Sequence, residues 1–153
     1  MVNIPKTMKG IELIGYGDID MQQYSRDITG PTPQANDVLI KVSAAGVNNT
    51  DINTRIGWYS KGDENDLSSS WSGNKLNFPR IQGADVCGTI VAVGDGISKE
   101  RIGERVLIEP CLKEAGGQTL DSPWYFGSEC DGGYCRIYGS CLKTCLRNKK
   151  HIV

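Results

Sequence analysis

The chain has 153 residues, 39% of them hydrophobic, enough for one domain with a real core. Its 17 basic and 18 acidic side chains leave a formal net charge of −1, which argues against a dedicated nucleic-acid or membrane-surface binder, normally basic. No run approaches the roughly 18 apolar residues that span a bilayer, and the opening MVNIPKTMKG lacks the apolar stretch of a signal peptide, so the expected compartment is the cytoplasm.

Nineteen glycines, about 12% of the chain against an ordinary value of about 7%, sit between β-branched runs and point to a β-dominated domain. In chain order, GIELIGYG (10–17) reads as a first strand ending in a glycine turn. MQQYSRDI (21–28) reads as a weaker, polar strand, and TGPTPQANDV (29–38) as a loop with two prolines. DVLIKVSAAGV (37–47) is a strand in which Val38, Ile40 and Val42 alternate with Leu39, Lys41 and Ser43. NTDINTRIG (49–57) fits a short helix, capped by Asn48 or Asn49 and ended by Gly57.

Residues 58–80 have no period and are rich in Ser, Asp, Asn and Gly, with Trp71 in the middle. A polar loop of that length in a compact domain is either functional or packed onto its surface. ADVCGTIVAVGDGI (84–97) is a long strand, broken at Gly88 and turned at Gly94-Asp95-Gly96. GERVLIEPCL (103–112) and DGGYCRIYG (131–139) complete a set of about six strands and one short helix. The fold class is therefore mainly β, a partly open β-barrel with one or two short helices.

The six cysteines are Cys87, Cys111, Cys130, Cys135, Cys141 and Cys145. In a cytosolic chain they are free thiols or metal ligands rather than disulfides. The last four are spaced C-x4-C-x5-C-x3-C, unlike the C-x2-C pairs of zinc ribbons. The single histidine, His151, is third from the end and reads as a solvated residue.

The segments DVLIKVSAAGVNNTDINTRIGWYS, PRIQGADVCGTIVAVGDGI, IGERVLIEPCL and GSECDGGYCRIY, in this order, resemble the N-terminal GroES-like catalytic domain of the medium-chain dehydrogenase/reductase superfamily. The resemblance covers residues 37–138 with gaps, and implies an active site in a cleft against a second, Rossmann domain that binds NAD(P)H. In zinc-dependent members a cysteine follows the GV of the first motif and a histidine follows the glycine of the second. Here those positions hold Asn48 and Ala84, followed by Asp85. An amide and a methyl group cannot replace a thiolate and an imidazole. No catalytic zinc is expected, and the four-cysteine structural lobe is also missing from residues 111–130.

The pattern is closer to the zinc-independent quinone oxidoreductase branch, where hydride passes to a quinone or an α,β-unsaturated carbonyl. The resemblance implies a candidate catalytic set of Asn48, Thr50, Asp51 and Tyr59. Asn48 and Thr50 donate hydrogen bonds to a carbonyl oxygen or to the nicotinamide end of the cofactor. Thr50 matches the hydroxyl that relays a proton in zinc-dependent members, and Tyr59 an aromatic at the substrate mouth. Each also has a plainer reading: Asn48 and Asn49 as helix caps, Asp51 as a charge on the helix dipole, Tyr59 as loop packing. Asp85 is expected to hold nearby backbone or Arg55.

A dinucleotide fingerprint needs G-x-G-x-x-G between a strand and a helix. GYGDID (15–20) carries Asp20 where the third glycine should be, and VGDGIS (93–98) is similarly incomplete. The expected organisation is a GroES-like domain over 1–138 and an atypical basic, cysteine-rich tail over 139–153, as though the reading frame were interrupted near 138. The reading is the catalytic half of a zinc-independent oxidoreductase. NAD(P)H belongs to a full-length parent and is not held by this chain alone; the substrate is a small carbonyl or quinone. Two alternatives stay open: a non-enzymatic GroES-like assembly module that self-associates through exposed strands, and a cysteine-based metal-binding protein.

Overall fold

The computed structural model describes residues 4–59, 75–115, 118–141 and 145–147. Most of the aperiodic stretch with Trp71, and the terminal residues with His151, lie outside the described residues. Among the described residues, the chain forms three antiparallel sheets, with strand orders β2-β1-β4, β10-β6-β5-β3-β9 and β7-β8. The first holds β1 (Thr7–Leu13), β2 (Gln22–Thr29) and the short β4 (Arg80–Ile81). The second holds β3 (Asp37–Ala45), β5 (Val86–Val93), β6 (Arg105–Ile108), β9 (Ile137–Cys141) and β10 (Cys145–Arg147). The third is the hairpin of β7 (Cys111–Ala115) and β8 (Gln118–Tyr125). One α-helix, α1 (Asn49–Arg55), follows β3. None of the sheets closes on itself, so the fold is mainly β and partly open, as the glycine-rich, β-branched sequence implies. No helix among the described residues is long and apolar enough to cross a membrane, which says nothing of a β-barrel.

β3 organises the core. Val38 and Ile40 face one apolar cluster with Val86, Ile90 and Val106, while Leu39 between them faces a second with Met8 and Ile81. The expected two-sided alternation therefore begins only at Lys41, because the first half of β3 is buried on both faces. Full burial of such side chains stabilises by about 1.5–3 kcal/mol each.

The described residues hold ten strands where the sequence reading gave about six, and bounds shift as well: β1 runs Thr7–Leu13 and not 10–17. β5 runs through Gly88 without a break; the ladder shifts register at two other places, where β3 fits the extra Ser43 and β5 the extra Val91. The 103–112 stretch is two strands, divided at Glu109-Pro110. Proline has no N–H for the ladder, and the chain turns there to pair with β8 instead of continuing. Residues 131–136 are not strand but a stitch. Gly132, Gly133 and Tyr134 donate backbone N–H bonds of 2.7, 2.8 and 2.9 Å to Ile81, Gly83 and Gln82, and Arg136 donates one of 3.0 Å to Lys9. β9 begins only at Ile137.

Gly88 is required by this packing. A Cβ there would lie 2.3 Å from the Lys41 carbonyl oxygen, and neither backbone can yield within a paired ladder. Gly88→Ala is expected to lower the unfolding free energy by about 1–3 kcal/mol in urea denaturation; an unchanged midpoint would show that the strands are not this close.

Candidate active site

α1 is fixed at both ends by its own sequence. Asn48 has extended backbone dihedrals and its Oδ1 accepts from the Thr50 N–H at 3.3 Å. Asp51, three residues on, reaches back to accept the Asn48 N–H at 2.9 Å, completing a capping box. At the other end Gly57 takes a left-handed φ of 71°, and the N–H groups of Gly57 and Trp58 close onto the carbonyls of Thr54 and Asn53 at 3.2 and 2.9 Å. Seven helical residues therefore carry Asn48, Thr50 and Asp51 together at the N-terminal end. Tyr59 lies beyond the opposite end, edge-on to Trp58 with ring centroids 5.3 Å apart. The helix is about 10 Å long, so Tyr59 does not share the corner formed by the other three.

Asp51 is the centre of that corner, with only 6% of its surface exposed. Besides the Asn48 N–H, its carboxylate accepts the Gly83 N–H at 3.1 Å and the Tyr134 hydroxyl at 2.9 Å. The same hydroxyl lies 3.1 Å from the Gly46 carbonyl. The Asp51 carbonyl accepts from Gln82 Nε2 at 2.8 Å, and Gln82 Oε1 accepts from Gln22 Nε2 at 2.9 Å. Gly83 has φ +100°, and a Cβ there would meet the Tyr134 ring at 2.6 Å, so the N–H reaches Asp51 only from glycine.

Burial is the main force on the titration of both partners. It pushes the Asp51 carboxyl above the ordinary carboxylate range; the hydrogen bonds from Tyr134, Asn48 and Gly83 oppose this and the nearby Asp85 adds to it. Burial, then the charge of Asp51, pushes the Tyr134 phenol up as well, so it stays a donor.

Asp85 is exposed and accepts from Asn48 Nδ2 at 2.9 Å. It does not hold Arg55, as the sequence suggested; Arg55 instead donates to the Gly17 carbonyl at 2.8 Å and contacts Asp18 at 3.3 Å. Thr50 Oγ1 is buried and has no hydrogen-bond partner among the described residues. Such a group costs stability unless something else satisfies it. Tyr134, Gln82 and Gly83 were missed as members of the site. Their only signals were the GGY and IQG runs, and nothing local in those runs gives contacts 83, 31 and 32 residues away in sequence.

The donor set does not fit a zinc ion. Asp51 is already committed to three donors and Asp85 to the Asn48 amide, and the Ala84 side chain offers no ligand. Among the described residues no three His, Cys, Asp or Glu side chains converge to hold a metal. Within residues 111–130, expected in the place of a zinc lobe, Cys111–Ala115 and Gln118–Tyr125 pair as β7 and β8, with Cys111 opposite Tyr125. Burial raises the Cys130 thiol to about 12, which keeps it protonated at neutral pH. The side chains of Cys141 and Cys145 lie outside the described residues.

Residues 34–147 match the family described as the alcohol dehydrogenase GroES-like domain. The chain is 36% identical over 101 residues to a quinone oxidoreductase of Rattus norvegicus, an alignment covering 66% of this chain and 27% of that protein. It is 30% identical over 126 residues to an NADPH-dependent alkenal/one oxidoreductase, chloroplastic, of Arabidopsis thaliana, covering 82% of this chain and 28% of that one. A crystal structure of a putative alcohol dehydrogenase from Sinorhizobium meliloti 1021 superimposes with a TM-score of 0.83 at 40% identity, over 94% of this chain and 40% of that chain. The chain thus spans less than a third of the length of either curated relative.

The raised Asp51 carboxyl gives stability a sign against pH. The folded state holds this proton more tightly than the unfolded chain, so the contribution is full below the ordinary value of 3.8 and is lost as pH rises through the higher folded value. The unfolding free energy of the wild type minus that of Asp51→Asn is expected to fall across that interval in urea titrations. A flat difference would contradict the burial of this carboxyl.

Proposed function

The chain belongs to the alcohol dehydrogenase GroES-like domain family, and from that premise we propose that it is the catalytic half of an NAD(P)H-dependent oxidoreductase that reduces a quinone, enone or aldehyde without catalytic zinc. The observation that carries this reading is the corner itself. The Asn48 amide and the buried, unpartnered Thr50 hydroxyl stand one residue apart where zinc-dependent relatives would place a metal ligand and its neighbour. Two hydrogen-bond donors in a partly desolvated corner suit an oxygen that gains negative charge during reduction.

Asn48 and Thr50 would hold the carbonyl oxygen or the nicotinamide end of the cofactor. When bound, the cofactor supplies the hydride. The chain's own residues orient: Asn48 and Thr50 donate hydrogen bonds to the oxygen as its charge develops, and the proton that completes the reduction comes from solvent. Asp51 does neither directly. Its carboxylate is engaged by backbone and Tyr134, so its part is to hold Asn48 in place. Tyr59, past the far end of α1, serves the substrate mouth and not the reacting atoms.

A nucleotide-binding half would complete the site. Val47, Ile52, Ile56 and Trp58 are exposed on and beside α1, an apolar surface of the kind such a half would cover. The 153 residues alone therefore bind a carbonyl compound but do not turn it over.

Titration of the isotope-labelled chain with cyclohexanone, a ketone that cannot alkylate thiols, tests this. Resonances of Asn48 and Thr50 are expected to move, and Asn48→Ala to weaken binding by about threefold to tenfold. With NADPH and a panel of quinones the chain alone is expected to show no turnover. Shifts that avoid both residues would refute the assignment of the site, and steady NADPH oxidation would refute the claim that these residues alone give no turnover.

A further inference from the structure

The Asn48 amide has two ends of opposite character. Its oxygen only accepts and its nitrogen only donates, so the direction it faces decides what it can bind. Two contacts set that direction. Oδ1 takes the Thr50 N–H at 3.3 Å, and Nδ2 donates to Asp85 Oδ2 at 2.9 Å. Turning the amide over would place oxygen against carboxylate oxygen and N–H against N–H, so both contacts would become repulsive. Of the two Nδ2 protons, Asp85 takes one and leaves one.

Asp85 is itself held over this spot. The Gly46 N–H donates to the Asp85 carbonyl at 2.8 Å, and a Cβ at residue 46 would lie 3.1 Å from Asp85 Cβ. The bare glycine of the AAGVNN run thus makes the room in which the carboxylate lies across to Asn48. The other side of the amide is secured separately, since the backbone N–H of Asn48 is bound by Asp51.

We propose that Asp85 is a positioning residue for substrate recognition: it locks the Asn48 amide so that its remaining N–H, and not its oxygen, meets the ligand, selecting a ligand that offers an acceptor oxygen. The ligand class rests on the oxidoreductase reading above; the lock does not. Asp85 has no contact with the reacting atoms in this scheme and acts only through Asn48. The arrangement selects for an acceptor oxygen, such as that of a ketone, aldehyde or quinone, and against a group that only donates, such as an ammonium.

The test is the side-chain 1H–15N signal of Asn48 in the full chain, with the backbone amides of Asn48 and Gly83 as internal controls for the Asp51 cluster. In Asp85→Ala the two side-chain protons are expected to lose the spread that the carboxylate bond gives them, while the two backbone amides stay in place. Asp85→Asn retains an acceptor oxygen and is expected to restore most of that spread. Gly46→Ala, which removes no polar group, is expected to reduce it by pushing Asp85 away, and so keeps the test open should Asp85→Ala fold poorly. Cyclohexanone affinity is expected to drop about threefold to tenfold in Asp85→Ala and to recover in Asp85→Asn. An Asn48 side-chain signal unchanged in both Asp85→Ala and Gly46→Ala would overturn the lock. A signal that changes as expected, in a chain whose Asn48 and Thr50 ignore the ketone, would leave the lock standing and overturn the ligand class together with the oxidoreductase reading.

Discussion

One buried carboxylate joins three stretches of chain that lie far apart in sequence. Asp51 accepts from the start of its own helix, from the glycine turn after β4, and from a tyrosine in the segment that stitches the sheets together. A carboxylate taken from water is costly unless donors replace the water. Three donors do so here, and a fourth, Gln82, secures the backbone of the same residue. The turn and the stitch are irregular structure, and the short helix buries only Asp51 and Thr54, so none of the three is anchored by a large, fully buried apolar side chain of its own. Their relative positions depend on this shared acceptor, and the position of Asn48 depends on theirs.

The parts of this arrangement that obey local rules were legible in the sequence. An asparagine followed three residues later by an aspartate, with a glycine at 57, specifies a capped helix, and the helix runs Asn49–Arg55. The β-branched runs at 37–47 and 84–97 likewise gave β3 and β5 nearly as read. What the local rules could not supply was the environment of each strand. The first half of β3 is buried on both faces because apolar clusters form on either side of it, and period alone cannot distinguish that from one buried face. The β7–β8 hairpin escaped notice for a related reason: CLKEA and QTLDSPWY have no clean alternation, and their pairing is set by the partner strand.

The site divides in the same way. Asn48, Thr50 and Asp51 are neighbours in the chain and could be grouped at sight. Tyr134 and Asp85 join them only through tertiary contacts, and a tyrosine in a GGY run looks like any half-buried aromatic. Asp85, expected to hold nearby backbone or Arg55, instead meets the Asn48 side chain, because Arg55 sits at the C-terminal end of α1 against Gly17 and Asp18 while Asp85 faces the N-terminal end. That geometry bears on chemistry. A carboxylate drawn toward Asn48 fixes an amide, and under the proposed function that amide turns its remaining N–H to the substrate oxygen.

If Asp51 holds the corner together, its bond to Tyr134 must be worth more than the two side chains separately. A double-mutant cycle in urea denaturation with Asp51→Ala, Tyr134→Phe and the pair measures this directly. The account requires a coupling of about 1.5 kcal/mol or more, the range of a buried hydrogen bond to a charged group. Additivity within about 0.5 kcal/mol would mean that the corner is held by packing alone and that the carboxylate at its centre is incidental.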